Sequence, residues 1–235
     1  MIRAVGVLVP AHNEQELLPA CLAGLRRAAR ALRGMPVHLV VVADACGDLT
    51  ARAARRGGAS VISVSAGNVG AARAAGAVEA LRLAGTPDPD GVWLATTDAD
   101  TVVPPAWLRQ QVRYASQGWD AVAGTVRVAD WSGYRRETAA WFHQRYAGVA
   151  GPHPHVHGAN LGFRASAYLA AGGFQPVPTA EDHALVAALT AAGARVLRTR
   201  ALSVLTSARR DGRAPHGFSQ YLTQLDRVPP ERVGA

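Results

Sequence analysis

The stretch Val5–Glu14, VGVLVPAHNE, decides the fold, because a short apolar run meets a proline and then polar residues. Such a run is typical of a strand buried on both faces of a parallel sheet. Similar runs follow at Leu39–Ala43, Val61–Val64 and Val92–Thr96. Helical patterns separate them, at Glu14–Leu32, Thr50–Arg56 and Val69–Leu83. This alternation predicts an α/β fold with a mostly parallel, Rossmann-like central sheet and helices on both faces.

The pattern loosens after Asp100. The aromatic- and histidine-rich stretch Asp130–His157 predicts a long, partly helical excursion. The other predicted elements are helices at Trp107–Ser116, Ala165–Ala171 and Asp182–Ala192, a strand at Ala121–Val128, short edge strands at Val196–Leu197 and Val204–Thr206, and a last amphipathic helix with Phe218, Tyr221, Leu222 and Leu225. No linker divides the 235 residues, so a single domain is predicted.

The basic residues of the chain are all arginines. The 25 basic residues include no lysine and outnumber 17 acidic residues, which gives a net charge of +8. The absence of lysine excludes a Walker-type phosphate lysine and Schiff-base chemistry. Arginine suits bidentate contacts with phosphate, so nucleic acid, an anionic membrane surface and a phosphorylated substrate all stay open as partners. No apolar run is long enough to span a membrane and no signal-peptide layout begins the chain, so a cytoplasmic location is expected.

Polar residues follow each of the first four predicted strands. They are Pro10–Glu14, Asp44–Asp48, Gly67–Gly70 with Arg73 one turn later, and Asp98–Asp100. Because ligands bind beyond the carboxyl ends of parallel strands, these groups are expected to meet at one rim. Asp98 and Asp100, one residue apart, can share a hard divalent cation such as Mg²⁺ or Mn²⁺. The first of these turns lacks the glycine fingerprint of a dinucleotide site, which weighs against a nicotinamide-dependent oxidoreductase.

This ordered set resembles the motifs of family 2 glycosyltransferases with the GT-A fold. The stretch His157–Arg164, HGANLGFR, and Gly172–Phe174 resemble the acceptor-side segment of that family, and Glu181-Asp182 resembles its acidic pair. The resemblance covers roughly residues 3 to 190. It implies one GT-A domain over residues 1–235, with a nucleotide-sugar-binding half at 1–100 and, at 101–235, an acceptor-binding half with a basic C-terminal segment.

The resemblance also implies roles for individual residues. The base pocket would be lined by Pro10, His12, Glu14 and Asp44, with Asn68 and Arg73 nearby and Asp98 on the ribose. Asp100, with Asp98, would bind Mn²⁺ or Mg²⁺ on the diphosphate of a UDP- or GDP-type donor. Asp182 would take the proton of the acceptor hydroxyl, oriented by Glu181, with inversion at the anomeric carbon. The acceptor would contact His157, Gly158, Asn160 and Trp141.

The chain departs from the family pattern at one point of the base pocket. The family often has two adjacent acids after the second strand, whereas Ala43 precedes Asp44 here. The base contact then depends on Asp44 alone or with help from Asp48. Cys46 also replaces a residue that is commonly small and polar.

The C-terminal arginines have several open interpretations. Arg209, Arg210 and Arg213, in the stretch Ser207–Arg213, could close on the diphosphate, form a solvated basic face, or contact an anionic lipid surface. His216 is either a further metal ligand or a surface histidine.

The histidines and aromatic residues of the excursion are equally open. His153, His155 and His157 alternate so that three imidazoles could share a strand face, as a zinc site or, better, as part of an acceptor-binding loop. The side chains of Trp131, Trp141, Phe142 and Tyr146 either stack on a sugar or pack in the core.

Rival functions are a retaining transferase, a degenerate nucleotide-binding domain and a nucleic-acid binder. The intact Asp98, Asp100 and Asp182 weigh against the degenerate domain. Nucleic acid is not expected as a partner, because no recognised binding module accompanies the arginines. A contact with the inner face of the membrane and the oligomeric state stay open.

Overall fold

The computed structural model describes residues 1–128, 130–147, 153–210, 212 and 217–227. Eight strands are present in this part of the chain: β1 (Ala4–Ala11), β2 (Val37–Asp44), β3 (Ser60–Val64), β4 (Val92–Thr96), β5 (Thr101–Val102), β6 (Ala121–Val128), β7 (Leu161–Arg164) and β8 (Val196–Thr206). The eight α-helices of the same part are α1 (Leu18–Arg30), α2 (Thr50–Arg56), α3 (Val69–Ala84), α4 (Trp107–Ser116), α5 (Arg136–Ala147), α6 (Ala165–Ala170), α7 (Glu181–Ala191) and α8 (Phe218–Arg227).

The strands form one mostly parallel sheet in the order β3-β2-β1-β4-β7-β6-β8-β5. The first four neighbours are parallel, as the alternating strands and helices of the first half predict. β7 is antiparallel to both β4 and β6, so β6 and β8 again run with the first four strands. The carboxyl ends of β1, β2, β3 and β4 therefore lie at one rim, where the predicted site residues follow them.

Helices cover both faces of the sheet, and alternate strand residues divide between the two cores. Val41 and its strand partner Val9 pack with α1, α2, α4, α5 and α8. Leu8 and Val42 face the other way and pack with α3, α6 and α7. This arrangement confirms the predicted fold class. No helix in the described ranges is long and apolar enough to cross a bilayer.

The second half of the sheet differs from the prediction in three strands. The two short edge strands predicted at 196–197 and 204–206 are wrong, because β8 is one strand of 11 residues between β6 and β5. A register shift opposite Gly124 takes up the extra residues of β8, and a Cβ at Gly124 would lie 2.5 Å from the carbonyl oxygen of Leu202. The short strands β5 and β7 were not predicted, since neither has an alternating pattern long enough to detect.

The first helix begins later than its apolar pattern predicts. The pattern starts at Glu14, whereas α1 begins at Leu18. The amides of Glu14 and Gln15 donate instead to Thr50 Oγ1 (2.7 Å) and Asp48 Oδ2 (3.1 Å) of the next loop. These hydrogen bonds join the loops after β1 and β2 into one platform at the rim.

Candidate active site

The loops after β1 and β2 form the outer wall of the site. His12 Nδ1 lies 2.8 Å from the carbonyl oxygen of Asp44, and the side-chain oxygen of Asn13 accepts from the amide of Gly47 at 2.8 Å. The Cys46 thiol lies 3.3 Å from the carbonyl oxygen of Ala11, next to Pro10 at the end of β1. Asn13 and Ala45 have left-handed backbones (φ 54° and 48°), a strained conformation that is frequent at functional sites.

Asp44 and Asn68 both organise the loop that leads into α3. The buried Asp44 carboxylate accepts from the amides of Ala66, Gly67 and Asn68 at 2.8–2.9 Å. The Asn68 side chain caps α3 by accepting from the amide of Ala71, and its NH₂ donates to the carbonyl of Val177. Both residues lie at the predicted rim, and both use polar atoms to fix the loop there.

Asp98 and Asp100 follow β4, and both contact an arginine. Asp98 Oδ1 accepts from Arg73 Nη2 at 2.6 Å, while Asp100 Oδ2 lies 3.1 Å from Arg209 Nη2. Burial and the neighbouring charge of Asp98 raise the pKa of Asp100 to about 6, although Arg209 opposes the shift. Two carboxylates thus lie close together after β4, as the prediction of a cation site requires.

Arg209 connects the C-terminal segment to the loops that follow β1 and β4. Its Nη1 donates to Glu14 Oε1 at 2.6 Å, so a single guanidinium bridges Glu14 and Asp100. Arg210 points in another direction, which does not fit the interpretation that both arginines close on the diphosphate. It bonds Asp226 and the carbonyl of Gly133 and lies over the ring of Tyr134. Arg213 and His216 lie outside the described residues.

Arg73 joins the two halves of the site. Its side chain is 3% exposed and donates to Thr96 Oγ1 (3.1 Å), to Asp98 and to Glu181. A Cβ at Gly158 would lie 2.3 Å from the Arg73 guanidinium, so only glycine fits there. Burial raises the pKa of Glu181, and Arg73 opposes that shift. The donor-side Asp98 and the acidic pair at the start of α7 are thus held by one buried cation.

Asp182 lies half-buried beside Glu181, at the start of α7. Its Oδ2 accepts from the amide of Gly158 at 2.7 Å, and its Oδ1 accepts from the amide of His183 at 2.8 Å. Ala180, which comes directly before α7, has a left-handed backbone with φ 59°. His157 is close enough for Asp182 to raise its pKa, but burial dominates and lowers that pKa to about 4. The acceptor side of the site thus contains a carboxylate beside a neutral imidazole.

Two predicted acceptor contacts are placed elsewhere. Asn160 is fully buried, donates to the carbonyls of Thr125 and Leu202, and accepts from Trp107 Nε1 at 2.8 Å. Its side chain therefore joins β6, β8 and α4. The predicted acceptor contact of Asn160 is wrong, because the side chain is buried and its polar atoms are already bonded. Trp141 is half-buried and packs under the guanidinium of Arg135, 5.2 Å from its ring centroid.

The three alternating histidines form a stack. The ring centroids of His153, His155 and His157 are 5.9 and 6.0 Å apart, with interplanar angles under 20°. Tyr146 stacks on His155 at 4.0 Å, and its hydroxyl is 2.8 Å from His157 Nε2. Stacked rings do not converge on a point, and no group of three metal-ligating side chains occurs in the described ranges, so the zinc interpretation is not supported.

Sequence reasoning missed Asp226, which anchors the last helix to α5 and to the residue that precedes it. Its carboxylate accepts from the Thr138 hydroxyl (2.6 Å), the Arg135 amide (2.9 Å) and Arg210. An available signal was its position four residues after Leu222, on the apolar face of the amphipathic helix.

Comparison with known proteins identifies the family of the chain. The model of "Glycosyl transferase family 2" matches residues 6–170, which is more than half of the chain. The undecaprenyl-phosphate 4-deoxy-4-formamido-L-arabinose transferase of Serratia proteamaculans is 34% identical over 143 residues, covering 59% of this chain and 41% of the relative. The enzyme of the same name from Pseudomonas aeruginosa is 32% identical over 145 residues, covering 60% and 38%. The chain thus spans about two fifths of these curated relatives.

Solved structures share the fold at low sequence identity. Staphylococcus aureus TarS 1–349 with UDP-GlcNAc aligns over 94% of this chain and 65% of its own, with a TM-score of 0.63 and 14% identity. A mannosyltransferase of Pyrobaculum calidifontis with GDP-Man and Mn²⁺ aligns over 93% and 68%, with a TM-score of 0.59 and 21% identity. These likenesses support the GT-A fold.

Proposed function

The chain belongs to glycosyl transferase family 2, and we propose that it moves a sugar from a nucleoside diphosphate sugar of the UDP or GDP type to an acceptor oxygen. The observation that carries this proposal is the position of Arg73. One buried guanidinium contacts both Asp98, on the donor side, and Glu181, next to Asp182. A donor group and a base can therefore face one another in one site.

The donor would lie along the rim formed by the four strand ends. We assign the nucleoside base to the wall of Pro10, His12, Glu14 and Asp44, and the ribose to Asp98, whose side chain is 38% exposed. Asp44 would act through the loop that its carboxylate holds in place. Arg209 contacts Asp100, which we assign to the metal on the diphosphate, and its charge would stabilise the leaving group.

The carboxylates after β4 fit a hard divalent cation. Mg²⁺ and Mn²⁺ prefer oxygen ligands and are often held by one or two carboxylates together with substrate phosphates. Asp100, with Asp98, supplies such a set, and its pKa is raised first by burial and then by the negative charge of Asp98. A bound Mn²⁺ or Mg²⁺ would add positive charge next to the diphosphate.

For a hydroxyl acceptor, Asp182 would act as the general base. The acceptor oxygen forms a bond to the anomeric carbon, the bond from that carbon to the diphosphate breaks, and the hydroxyl proton moves to Asp182. The electron pair leaves with the diphosphate. Attack opposite the leaving group inverts the anomeric configuration. Glu181 holds Arg73 and so orients this part of the site.

A lipid phosphate is the second candidate acceptor, and the names of the undecaprenyl-phosphate transferases favour it. A phosphate monoester is already mostly ionised at neutral pH, so its oxygen attacks without a general base. Asp182 would then only position the acceptor. This acceptor would place the protein at the inner face of the membrane, as a cytoplasmic protein in peripheral contact.

Calorimetric titration with UDP and GDP, each with and without Mn²⁺, tests the donor site. We expect one nucleotide to bind in a metal-dependent manner and this binding to be lost in Asp100→Ala. The control is Asp130→Ala, an exposed aspartate before α5, which should bind like the wild type. A failure of both nucleotides to bind would contradict the proposal and favour a degenerate domain that no longer binds nucleotide.

The Asp182→Asn variant tests the base and separates the two acceptors. With a hydroxyl acceptor, we expect donor binding to persist while transfer falls by about 10²- to 10⁴-fold. Glu137→Gln, on the exposed first turn of α5, is the matched control. Unchanged transfer in Asp182→Asn would contradict the base assignment and favour a phosphate acceptor. The anomeric configuration of the product, measured by NMR, separates inversion from retention.

A further inference from the structure

Two neighbouring helices carry an unusual concentration of positive charge. The 13 residues of α1 and the 7 residues of α2 include six arginines and no aspartate or glutamate. These arginines are Arg26, Arg27, Arg30, Arg52, Arg55 and Arg56, and all six are exposed. We call this surface the α1–α2 face.

The arginines of the α1–α2 face form no ion pairs with the residues that the structure describes. None of the six forms an ion pair with another residue in the ranges that the structure covers. The C-terminal arginines are different: Arg195 stacks on Trp119, Arg198 donates to the carbonyl of Pro154, and Arg209 and Arg210 pair with acids. A cluster of exposed arginines without ion pairs therefore lies on α1 and α2, whereas the sequence drew attention to the C-terminal segment.

Apolar side chains flank the same face at the end nearest the active site. Leu17 and Leu49 immediately precede α1 and α2 and are 39% and 59% exposed. Their loops are tied together, since the amide of Leu49 donates to Gln15 Oε1 at 2.9 Å. A groove of about 570 Å³ runs between the helices, and its lining includes Leu49, one acidic residue, Glu16, and three arginines, Arg26, Arg52 and Arg56.

We infer that the α1–α2 face docks the protein on an anionic phospholipid surface. Arginines along the helices would contact lipid phosphates, and the two leucines would enter the boundary between headgroups and acyl chains. A basic patch combined with apolar side chains is the pair of signals that gives peripheral binding. Because Leu17 and Leu49 follow the strand-end loops, this orientation turns the mouth of the active site toward the bilayer.

The inference goes beyond the proposed function, because it is argued from charge and exposure without the transfer reaction. It specifies where a lipid-borne acceptor would meet the protein. The exposed aromatic platform that single-stranded nucleic acid would need is missing from this face, since α1 and α2 contain no aromatic residue. We therefore favour a lipid surface over nucleic acid.

Vesicle co-sedimentation of the full chain tests the docking surface. We expect binding to vesicles that contain phosphatidylglycerol and none to pure phosphatidylcholine, with affinity falling as salt rises. The variant Arg26→Gln/Arg52→Gln/Arg56→Gln should bind about 100-fold more weakly, at roughly tenfold or less per arginine removed. The matched control, Arg113→Gln/Arg136→Gln/Arg145→Gln, removes three exposed helical arginines elsewhere and should bind like the wild type.

A second pair of variants tests the apolar part of the face. Leu49→Gln should weaken vesicle binding about tenfold. Leu169→Gln on α6, where the leucine is 54% exposed, should have no effect. An equal loss in the two arginine triples, no binding to anionic vesicles, or tighter binding to a DNA duplex at the same phosphate concentration would each overturn the inference.

Nucleotide binding by the same variants separates this inference from the proposed function. None of the substituted residues is in the proposed donor site, so UDP or GDP binding should be unchanged. If vesicle binding follows the arginines while no nucleotide binds, the docking surface stands and the transferase proposal fails. If the protein binds nucleotide but not vesicles, the transferase proposal stands and the docking surface fails.

Discussion

Each of the two halves that the family resemblance implies buries one aspartate, in opposite electrostatic settings: Asp100 in the candidate site and Asp226 on the last helix. On the donor side, burial and the nearby Asp98 raise the pKa of Asp100 to about 6. On the acceptor side, burial alone would raise the pKa of Asp226, but hydrogen bonds from Thr138, Arg135 and Arg210 outweigh it and lower that pKa to about 2. The comparison agrees with the proposal that the crowded Asp100 carboxylate binds a ligand, whereas the hydrogen bonds to Asp226 stabilise the fold.

The largest expected effect comes from breaking the link between these two sides. Arg73→Met leaves the buried Glu181 without its cation and should lower the free energy of unfolding by about 3–5 kcal/mol, measured by urea denaturation. Arg82→Met, which removes an exposed pair with Glu79, is the control and should have no measurable effect. If Arg73→Met and Arg82→Met were equally stable, Arg73 would not be needed to hold Asp98 and Glu181 together. Adding Glu181→Gln to Arg73→Met should restore part of the loss.

Asp226→Asn tests the anchor of the acceptor side. Loss of the charge weakens hydrogen bonds from Thr138, Arg135 and Arg210, so the free energy of unfolding should fall by about 2 kcal/mol at neutral pH. The pKa of Asp226 is lower in the folded protein than in the unfolded chain. The wild-type advantage is therefore present above the ordinary carboxyl pKa and disappears as the pH falls toward 2. Asp130→Asn serves as an exposed control.

Asp100→Asn makes the same chemical change and should have the opposite effect. Because the folded-state pKa of Asp100 is raised, its ionisation costs stability as the pH rises from the ordinary carboxyl range through about 6. The variant should gain about 2 kcal/mol at pH 7.5, after the weakened contact with Arg209 is allowed for. The gain should shrink as the pH falls toward 4. Equal and same-signed effects in Asp100→Asn and Asp226→Asn would remove the distinction between the two sides.

The strained backbone before Asp182 gives the smallest expected effect. Ala180 has a left-handed φ of 59°, which glycine adopts without the Cβ penalty. Ala180→Gly should gain about 0.5 kcal/mol after the added entropy of the unfolded chain is subtracted. Ala188→Gly, inside α7, should lose about 0.5–1 kcal/mol. A loss in Ala180→Gly would mean that the surrounding contacts, rather than strain, set the stability of this turn.

The sequence predicts the donor side well because its residues follow consecutive parallel strands. Once β1 to β4 are recognised, topology brings Glu14, Asp44 and Asp98 to one rim. The acceptor side depends on contacts between distant segments, which no local pattern encodes. Arg209 and Arg210 are adjacent in the chain, yet one contacts Glu14 and the other contacts Asp226. Asn160 belongs to the HGANLGFR motif. Its side chain is nevertheless buried in the core, where it donates to the carbonyl of Leu202 at the register shift of β8.

The two cysteines give the native protein a single-site chemical label. Cys21 is buried under the carbonyl of Asp98, and burial raises the pKa of its thiol well above the ordinary value. Cys46 is partly accessible in the wall assigned to the nucleoside base, beside Ala11 and Asn13. A maleimide dye should therefore attach at Cys46 without any mutation, and a nucleotide in the pocket should slow its attachment. The labelling rate would then report the fraction of protein whose pocket holds nucleotide, without a radioactive donor or a known acceptor.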